Sequence, residues 1–554
     1  MTRLLLSIAL ALTSCLGLTP YRAKNAMVVA EEPIAAEVGV SVLRAGGNAV
    51  DAAVAIAFAL AVTHPAAGNL GGGGFLLVRM ADGRTSFFDF REKAPGSATR
   101  DMYIGPDGTG TKDSIEGWRA SGVPGTVRGL ELAHKKFGKA SWRSAVRPAQ
   151  RLAARGFPVS YGFAMGLNSA SQRLGRDEES RKIFVRSPNG WKPGDRLVQR
   201  DLGHTLRRIA RSGSRDFYEG ETARLLAKAM AAKGGHITTE DLKSYAALER
   251  EPLRGAYRGY EVIAAPPPSS GGVGILQMLG VLEGSGYEKG GWGAASHIHF
   301  LAETMRRYYA DRSEYLGDPD FVKVPLQSLL HPRYIAQLRK SIDPGKASSS
   351  TSVKPGNLVG YESSETTHLS VVDKDGNAAS LTYTLNGGYG SGVTVPGLGF
   401  LLNNEMDDFS AKPGSPNMFG LVQGEANAIQ PRKRPLSSMT PTILLKDGKL
   451  YMVVGGPGGG RIISSVLQTI VNHVDFGQNV RDAVDLPRFH HQWKPDVITL
   501  ERGFSPDTLR LLQGMGHKVE TTASVARIFA IIVQRDGWLS GAADGRGYGK
   551  ASGY

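Results

Sequence analysis

Residues 343–365 read DPGKASSSTSVKPGNLVGYESSE, and residues 366–385 continue TTHLSVVDKDGNAASLTYTL. The first stretch is rich in Ser, Gly, Pro and Lys with little to bury, the composition of an exposed linker. The second changes character at once: a β-type run over 366–372, a turn at Asp373–Asn377, and a second strand over Ala378–Leu385. A hairpin therefore begins where an exposed segment ends, and Thr366 stands on the boundary. A threonine hydroxyl is a weak nucleophile without a neighbouring base, and a chain-terminal threonine carries one as its own α-amine. Such an amine has a pKa near 8, suited to accepting a proton at neutral pH. An interior threonine acquires it only if the preceding peptide bond is cut. Read alone, the junction favours an ordinary strand threonine, since threonine is common in strands.

Working outward, Pro33–Arg44 is an amphipathic helix closed by Gly46-Gly47, and Asn48 caps an almost wholly apolar, Ala-rich helix over 49–62. Asn69-Leu70 and four glycines lead into a strand at Phe75–Met80, and Asp82-Gly83 turns it back into a partner at Ser86–Phe90. The middle of the chain carries helical patterns such as Ala295–Tyr309. Leu450–Val454 reads as a strand, Gly455–Gly460 as a glycine loop, and Ile462–Val474 as a helix.

The 554 residues include 66 Lys+Arg, 51 Asp+Glu and one cysteine, Cys15. A single cysteine excludes intrachain disulfides, zinc-thiolate sites and iron–sulfur clusters. The net charge of +15 is read as a solvated surface, because no basic stretch interleaved with aromatics offers a nucleic-acid footprint. Met1 to about Ala23 has the grammar of a secretory signal: Arg3, the apolar run Leu4–Leu12, then small residues. Leu12-Thr13-Ser14-Cys15 also resembles a lipobox, so a lipid anchor at Cys15 is the one membrane attachment foreseen. The expected location is periplasmic or secreted.

No G-x-S-x-G, S-x-x-K, H-E-x-x-H or Walker lysine occurs. The 455–460 loop fails the G-x-G-x-x-G spacing, yet a strand–glycine–helix junction exposes backbone N–H groups suited to a negative charge, either an oxyanion or simple close packing. His297 and His299 face different ways on a helix, and His490-His491 reads as structural. No catalytic metal and no cofactor are expected.

Seven segments together resemble the bacterial γ-glutamyltransferases, members of the N-terminal-nucleophile hydrolases: GGNAVDAAVA (46–55), GNLGGGGF (68–75), DFREKAP (89–95), TTHLSVVDKDGN (366–377), LNNEMDDF (402–409), KRPLSSM (433–439) and GGPGGGR (455–461). The resemblance implies an α+β fold, a four-layer αββα sandwich. It implies self-cleavage between Glu365 and Thr366 into a large subunit (24–365) and a small catalytic one (366–554), which stay together as a heterodimer. Thr366 is then the nucleophile, Thr384 its hydrogen-bonding neighbour, and Gly458 and Gly459 the oxyanion hole. Arg91, Ser437 and Ser438 match the groups holding the substrate's α-carboxylate; Asn386, Glu405 and Asp408 match those receiving its α-ammonium. Glu405 stands where many relatives have Gln, and Phe419, in the lid-like segment 413–424, stands where relatives often have Tyr. The implied activity is transfer of a γ-glutamyl group from glutathione or related donors to amino acids, peptides or water. Two competing readings are a glutaryl-type β-lactam side-chain acylase and a non-catalytic homologue that captures glutamate-like ligands.

Overall fold

Two seven-stranded antiparallel sheets face one another in a computed structural model that describes residues 18–353, 366–412, 417–418 and 420–554. One sheet runs, edge to edge, through Lys550–Gly553, Met27–Ala30, Thr367–Val372, Ala378–Thr384, Gly73–Arg79, Thr85–Phe90 and Leu248–Arg250. Successive residues on its strands enter opposite cores, as a pleat requires. Leu76 and Val78 pack with the helices of the outer layer, whereas Phe75 and Leu77 pack toward the second sheet. That second sheet orders Tyr21–Ala23, Leu539–Ala543, Phe529–Val533, Lys449–Gly455, Thr442–Lys446, Tyr260–Ala264 and Leu253–Tyr257. Helices Pro33–Arg44 and Ala49–Thr63 cover the first sheet, and Gly271–Leu282 and Arg461–Val474 cover the second. The αββα sandwich is thus the observed architecture.

The capped helices form as read. Asn48 accepts from the N–H groups of Val50 and Asp51, and Asp51 returns a bond to the Asn48 N–H. Every residue of Ala49–Thr63 is buried, and its alanines let it lie close on the central strands Thr367–Val372 and Ala378–Thr384. The glycine run at 71–74 answers a close approach rather than a turn. A Cβ on Gly72 would sit 2.0 Å from the Thr384 carbonyl oxygen, and one on Gly74 2.4 Å from that of Thr382.

Two expectations change. The segment 343–353 is docked rather than a free linker, while 354–365, with the Glu365 of the expected cleavage bond, lie outside the described residues. Ser350 donates its N–H to Asp496 Oδ2 at 2.7 Å, and the Trp493 indole N–H lies between the carbonyls of Ser350 and Val353 at 2.9 and 3.0 Å. A run of small polar residues lacks an apolar signal, but its backbone can still satisfy buried donors and acceptors. At the other end, Tyr21–Ala23 pairs with Leu539–Gly541, so the leader boundary read near Ala23 falls inside a sheet. Cys15 lies outside the described residues. Among the described residues no helix is long and apolar enough to cross a membrane.

Candidate active site

The hairpin register builds the site. Thr367 pairs with Tyr383 and His368 with Thr382, which carries Thr366 to a position opposite Thr384. Thr366, His368 and Ser370 then share the face turned to the second sheet. His368 is fully buried and held between Thr382 Oγ1 (2.8 Å) and Ser370 Oγ (3.1 Å). Burial pushes its pKa down to about 3, so it is a neutral spacer in the polar seam between the sheets. Thr366 Oγ1 donates to Thr384 Oγ1 at 3.5 Å, and Thr384 Oγ1 also accepts from the Asn386 N–H at 2.8 Å. The two hydroxyls predicted to work together are therefore adjacent.

Motifs far apart in sequence converge here through side-chain amides. Asn69 donates to the Thr384 carbonyl (2.7 Å) and accepts from the Gly72 N–H (3.0 Å). Asn403 donates to the Gly71 and Gly122 carbonyls and accepts from the Glu405 N–H at 3.0 Å. Asn386 has a left-handed backbone, φ 76°, unusual for a non-glycine residue. Its Nδ2 donates to the Asn404 carbonyl at 3.0 Å, leaving Oδ1 as an acceptor with no partner among the described residues.

Arg91 is fully buried and bonds to Glu405 and Asp408, with Glu92 at 3.4 Å and the carbonyls of Pro435 and Leu436 each at 3.2 Å. Burial opposes its charge, but the three surrounding carboxylates outweigh that and raise its pKa. The carboxyl pKa values rise as well, because for them burial outweighs the neighbouring cation. Burial lifts Glu405 well above the ordinary carboxylate range despite Arg91, raises Asp408, and brings Glu92 to about 7. Only Arg91 bonds directly to these three carboxylates, and burial favours their protonated forms. An ammonium brought against these carboxylates favours their ionised forms. The cavity bounded by Arg91, Thr366, Thr384, Asn386, Glu405, Asp408, Ser437, Ser438 and Gly459 measures about 20 Å³, room for about one water. A larger ligand requires the internal ion pairs to open.

The glycine loop forms another wall of the cavity. Gly458 (φ 147°) and Gly459 (φ 55°) adopt backbone conformations that favour glycine. Their N–H groups donate to no acceptor among the described residues, and the helix Arg461–Val474 starts directly behind them. Gly459 borders the cavity, whereas Gly458 is packed against Ala526 and is not among its bounding residues. Of the lid, Phe419 lies outside the described residues. Its neighbours are tied down: Asn417 Nδ2 donates to Asp408 Oδ1 at 3.2 Å, Met418 N to Asp407 Oδ2 at 2.8 Å, and Gln492 Nε2 to the Gly420 carbonyl at 3.3 Å.

Sequence reading missed Glu92 and Arg312, which both belong to this pocket's charge system. Arg312 is a cation in a helix, Ala295–Tyr315, whose residues from Leu301 to Ser313 are all buried. A run of charged residues on buried helix faces was the available signal. The histidines sort as read: His490 sits between Ser464 and Gln492, and His491 contacts Asp496. Away from the cavity, His299, Glu303 and His517 place potential metal-ligand atoms within 4.8 Å of one another. The Glu303 carboxylate there is already bound by Arg306 and Arg307.

The chain is similar to known proteins along nearly all of its length. The glutathione hydrolase proenzyme of Escherichia coli (strain K12) is 52% identical over 529 residues, 95% of this chain and 91% of the relative. A cephalosporin acylase from Bacillus halodurans superposes with a TM-score of 0.86 at 28% identity, covering 98% of both chains. The gamma-glutamyltranspeptidase structure from Helicobacter pylori is 45% identical with a TM-score of 0.58, covering 59% of this chain and 94% of that one. The gamma-glutamyltranspeptidase family model matches residues 35–554, from the first helix through the hairpin that begins at Thr366 to the last strand, and the chain belongs to that family.

Proposed function

We propose that the chain is a γ-glutamyltransferase and glutathione hydrolase that cuts itself before Thr366 and then uses that threonine as nucleophile. The observation that carries this reading is the juxtaposition of Thr366 and Thr384 with one buried pocket holding Arg91 beside Glu405 and Asp408. In the unprocessed chain the Thr366 nitrogen is a peptide nitrogen and no α-amine exists. Attack of Thr366 Oγ1 on the Glu365 carbonyl moves the acyl group from nitrogen to oxygen. Water then hydrolyses the ester, leaving the Glu365 carboxylate and a free Thr366 amine. Two chains, 24–365 or thereabouts and 366–554, remain interleaved in one sandwich. The Helicobacter pylori chain's coverage of 59% of this sequence supports a large subunit of that extent. Because Tyr21–Ala23 is a sheet strand, we put the end of the secretory leader ahead of Leu18, with export to the periplasm or exterior. A lipid at Cys15 is compatible with that order.

In the mature enzyme the Thr366 amine takes the hydroxyl proton as Oγ1 attacks the donor's γ-carbonyl. The oxyanion of the tetrahedral intermediate is received by the Gly458 and Gly459 N–H groups. The proton passes to the leaving amine, cysteinylglycine when glutathione is the donor. Water or an acceptor amine then attacks the γ-glutamyl ester and regenerates Thr366. No cofactor takes part. Recognition follows from charge: the donor's free amino-acid end is a zwitterion, and the pocket pairs a guanidinium with two carboxylates. A bound zwitterion satisfies both signs, its carboxylate on Arg91, Ser437 and Ser438, its ammonium on Asn386, Glu405 and Asp408. The test is a matched pair of anilides, γ-glutamyl and glutaryl, differing only by the α-ammonium. A wild type that prefers the γ-glutamyl anilide by at least tenfold supports the reading. Preference for the glutaryl anilide identifies a β-lactam side-chain acylase instead, and cleavage of neither identifies a binding protein.

Two further outcomes follow from the pocket. Arg91→Lys raises the KM for the γ-glutamyl anilide, because an ammonium cannot reproduce a bidentate fork; about 1.5–3 kcal/mol is the scale of such a charge-assisted bond. Unchanged kinetics in this variant exclude Arg91 as the carboxylate clamp. The pH dependence has a definite sign. An ammonium is received by ionised carboxylates, so donor affinity rises with pH through about 7, the value of Glu92. Glu405→Gln removes the coupled carboxyl and flattens that limb of the KM–pH profile. A limb of the same slope in Glu405→Gln assigns the titration to another group.

A further inference from the structure

Arg312 lies near the end of the helix Ala295–Tyr315, 2% exposed. Its partners are unusual for a buried cation. Nε donates to Ser270 Oγ at 2.9 Å and Nη2 to Ser438 Oγ at 3.0 Å, and no carboxylate bonds to it among the described residues. A buried guanidinium bonded only to hydroxyls is uncompensated, and an arriving anion relieves that cost. Its charge reaches Asp408 only through space, and it borders the same cavity as Arg91 and Thr366.

The direction of these bonds matters. A guanidinium can only donate, so Ser438 Oγ accepts, and its own hydrogen has no acceptor among the described residues. Ser437 Oγ is set the same way, accepting from the Met439 N–H at 3.1 Å. Ser270, held by Arg312, donates both its N–H and its hydroxyl to the Ser437 carbonyl at 2.7 Å. Arg312 thus anchors the 437–438 segment while turning the Ser438 hydroxyl into a dedicated donor. Beside Arg91, two donor hydroxyls and a second positive charge match a carboxylate's two oxygens.

We propose that Arg312 is a specificity-determining positioning residue: it polarises Ser438 toward the donor's α-carboxylate and supplies the second cation that this carboxylate meets. The inference rests on the reading of Arg91, Ser437 and Ser438 as the carboxylate end of the site. It is tested with Arg312→Met and Arg312→Lys on two anilides, γ-glutamyl and 4-aminobutanoyl; the latter keeps the amine and lacks the carboxylate. Expected for Arg312→Met is a KM for the γ-glutamyl anilide raised by about tenfold to a hundredfold, the scale of one or two charge-assisted bonds. Its kcat stays within about threefold, and kcat/KM for the 4-aminobutanoyl anilide is nearly unchanged, because no contact to that donor is lost. Arg312→Lys is intermediate, and adding Ser438→Ala to Arg312→Met costs less than Ser438→Ala alone.

Equal losses on both donors, an unchanged KM, additive Ser438→Ala effects, or a failure of both variants to yield two chains each overturns the proposal. Arg91→Lys and Ser438→Ala are run alongside. If they lose the discrimination between donors and the Arg312 variants keep it, this inference alone fails. If no variant loses it, the carboxylate reading itself is wrong.

Discussion

A Thr366→Ala chain runs as a single band of full length and turns over no γ-glutamyl anilide above background. Both consequences have one cause. The methyl group removes the oxygen that attacks the Glu365 carbonyl, so no new amino terminus forms, and it removes the oxygen that would carry the γ-glutamyl group. The loss in turnover approaches the roughly 10⁶-fold scale of deleting a hydrolase nucleophile. Amino-terminal sequencing of the wild-type small band, expected to read Thr-Thr-His-Leu, is the complementary measurement. Thr366→Ser retains the hydroxyl and still yields two chains. Two chains from Thr366→Ala, or an active uncut wild type, would refute the mechanism. Side-chain packing argues against misfolding as an alternative cause. Thr366 stands at the start of its strand, and the six residues that follow are held by the hairpin register and by Met27–Ala30.

Asp408→Asn separates the two kinds of acylase. In the wild type Asp408 meets Arg91 and accepts from Asn417 Nδ2. Asparagine keeps the shape and one acceptor oxygen but not the charge that pairs with an α-ammonium. The expected result is a fall of about tenfold to a hundredfold in kcat/KM for the γ-glutamyl anilide, corresponding to about 1.5–3 kcal/mol for a hydrogen bond to a charged group. The glutaryl anilide, which leaves Asp408 and Glu405 without a cation in the wild type, is spared or improved, since an unpaired buried charge is what penalises it. The measurement is the ratio of the two kcat/KM values in both proteins. A proportional loss of both activities makes Asp408 a structural partner of Arg91 and removes it from substrate recognition.

The charge arrangement connects these results to the single amino-acid choice at 405. Glutamate there adds a third carboxylate around Arg91, and burial raises its pKa well above the ordinary carboxylate range. On the proposed reading, the pH dependence of donor binding is therefore tied to the same carboxylates that receive the α-ammonium.

Local chemistry was readable directly. The Asn48 cap, the Asp82-Gly83 turn, the hairpin beginning at Thr366 and the strand–glycine–helix junction at 455–461 depend on contacts within a few residues. Their signals are period, cap and turn chemistry, and each element formed within two residues of its expected limits. The roles of Thr366, Thr384, Arg91, Glu405 and Asp408 came from resemblance, because spacing alone left Thr366 indistinguishable from any strand threonine. Other features needed the folded chain. That Tyr21–Ala23 joins Leu539–Gly541, that Ser350 docks on Asp496, and that Arg312 rests on Ser438 are pairings over 100 or more residues. No short-range periodicity encodes them. A buried arginine reads in sequence like a solvated one, and only the tertiary arrangement decides whether water, a carboxylate or two hydroxyls surround it. The sequence by itself therefore determined which groups exist and which local frames hold them. Tertiary structure decided which charges share a dry cavity, because electrostatic coupling depends on distance and dielectric, and folding alone sets both.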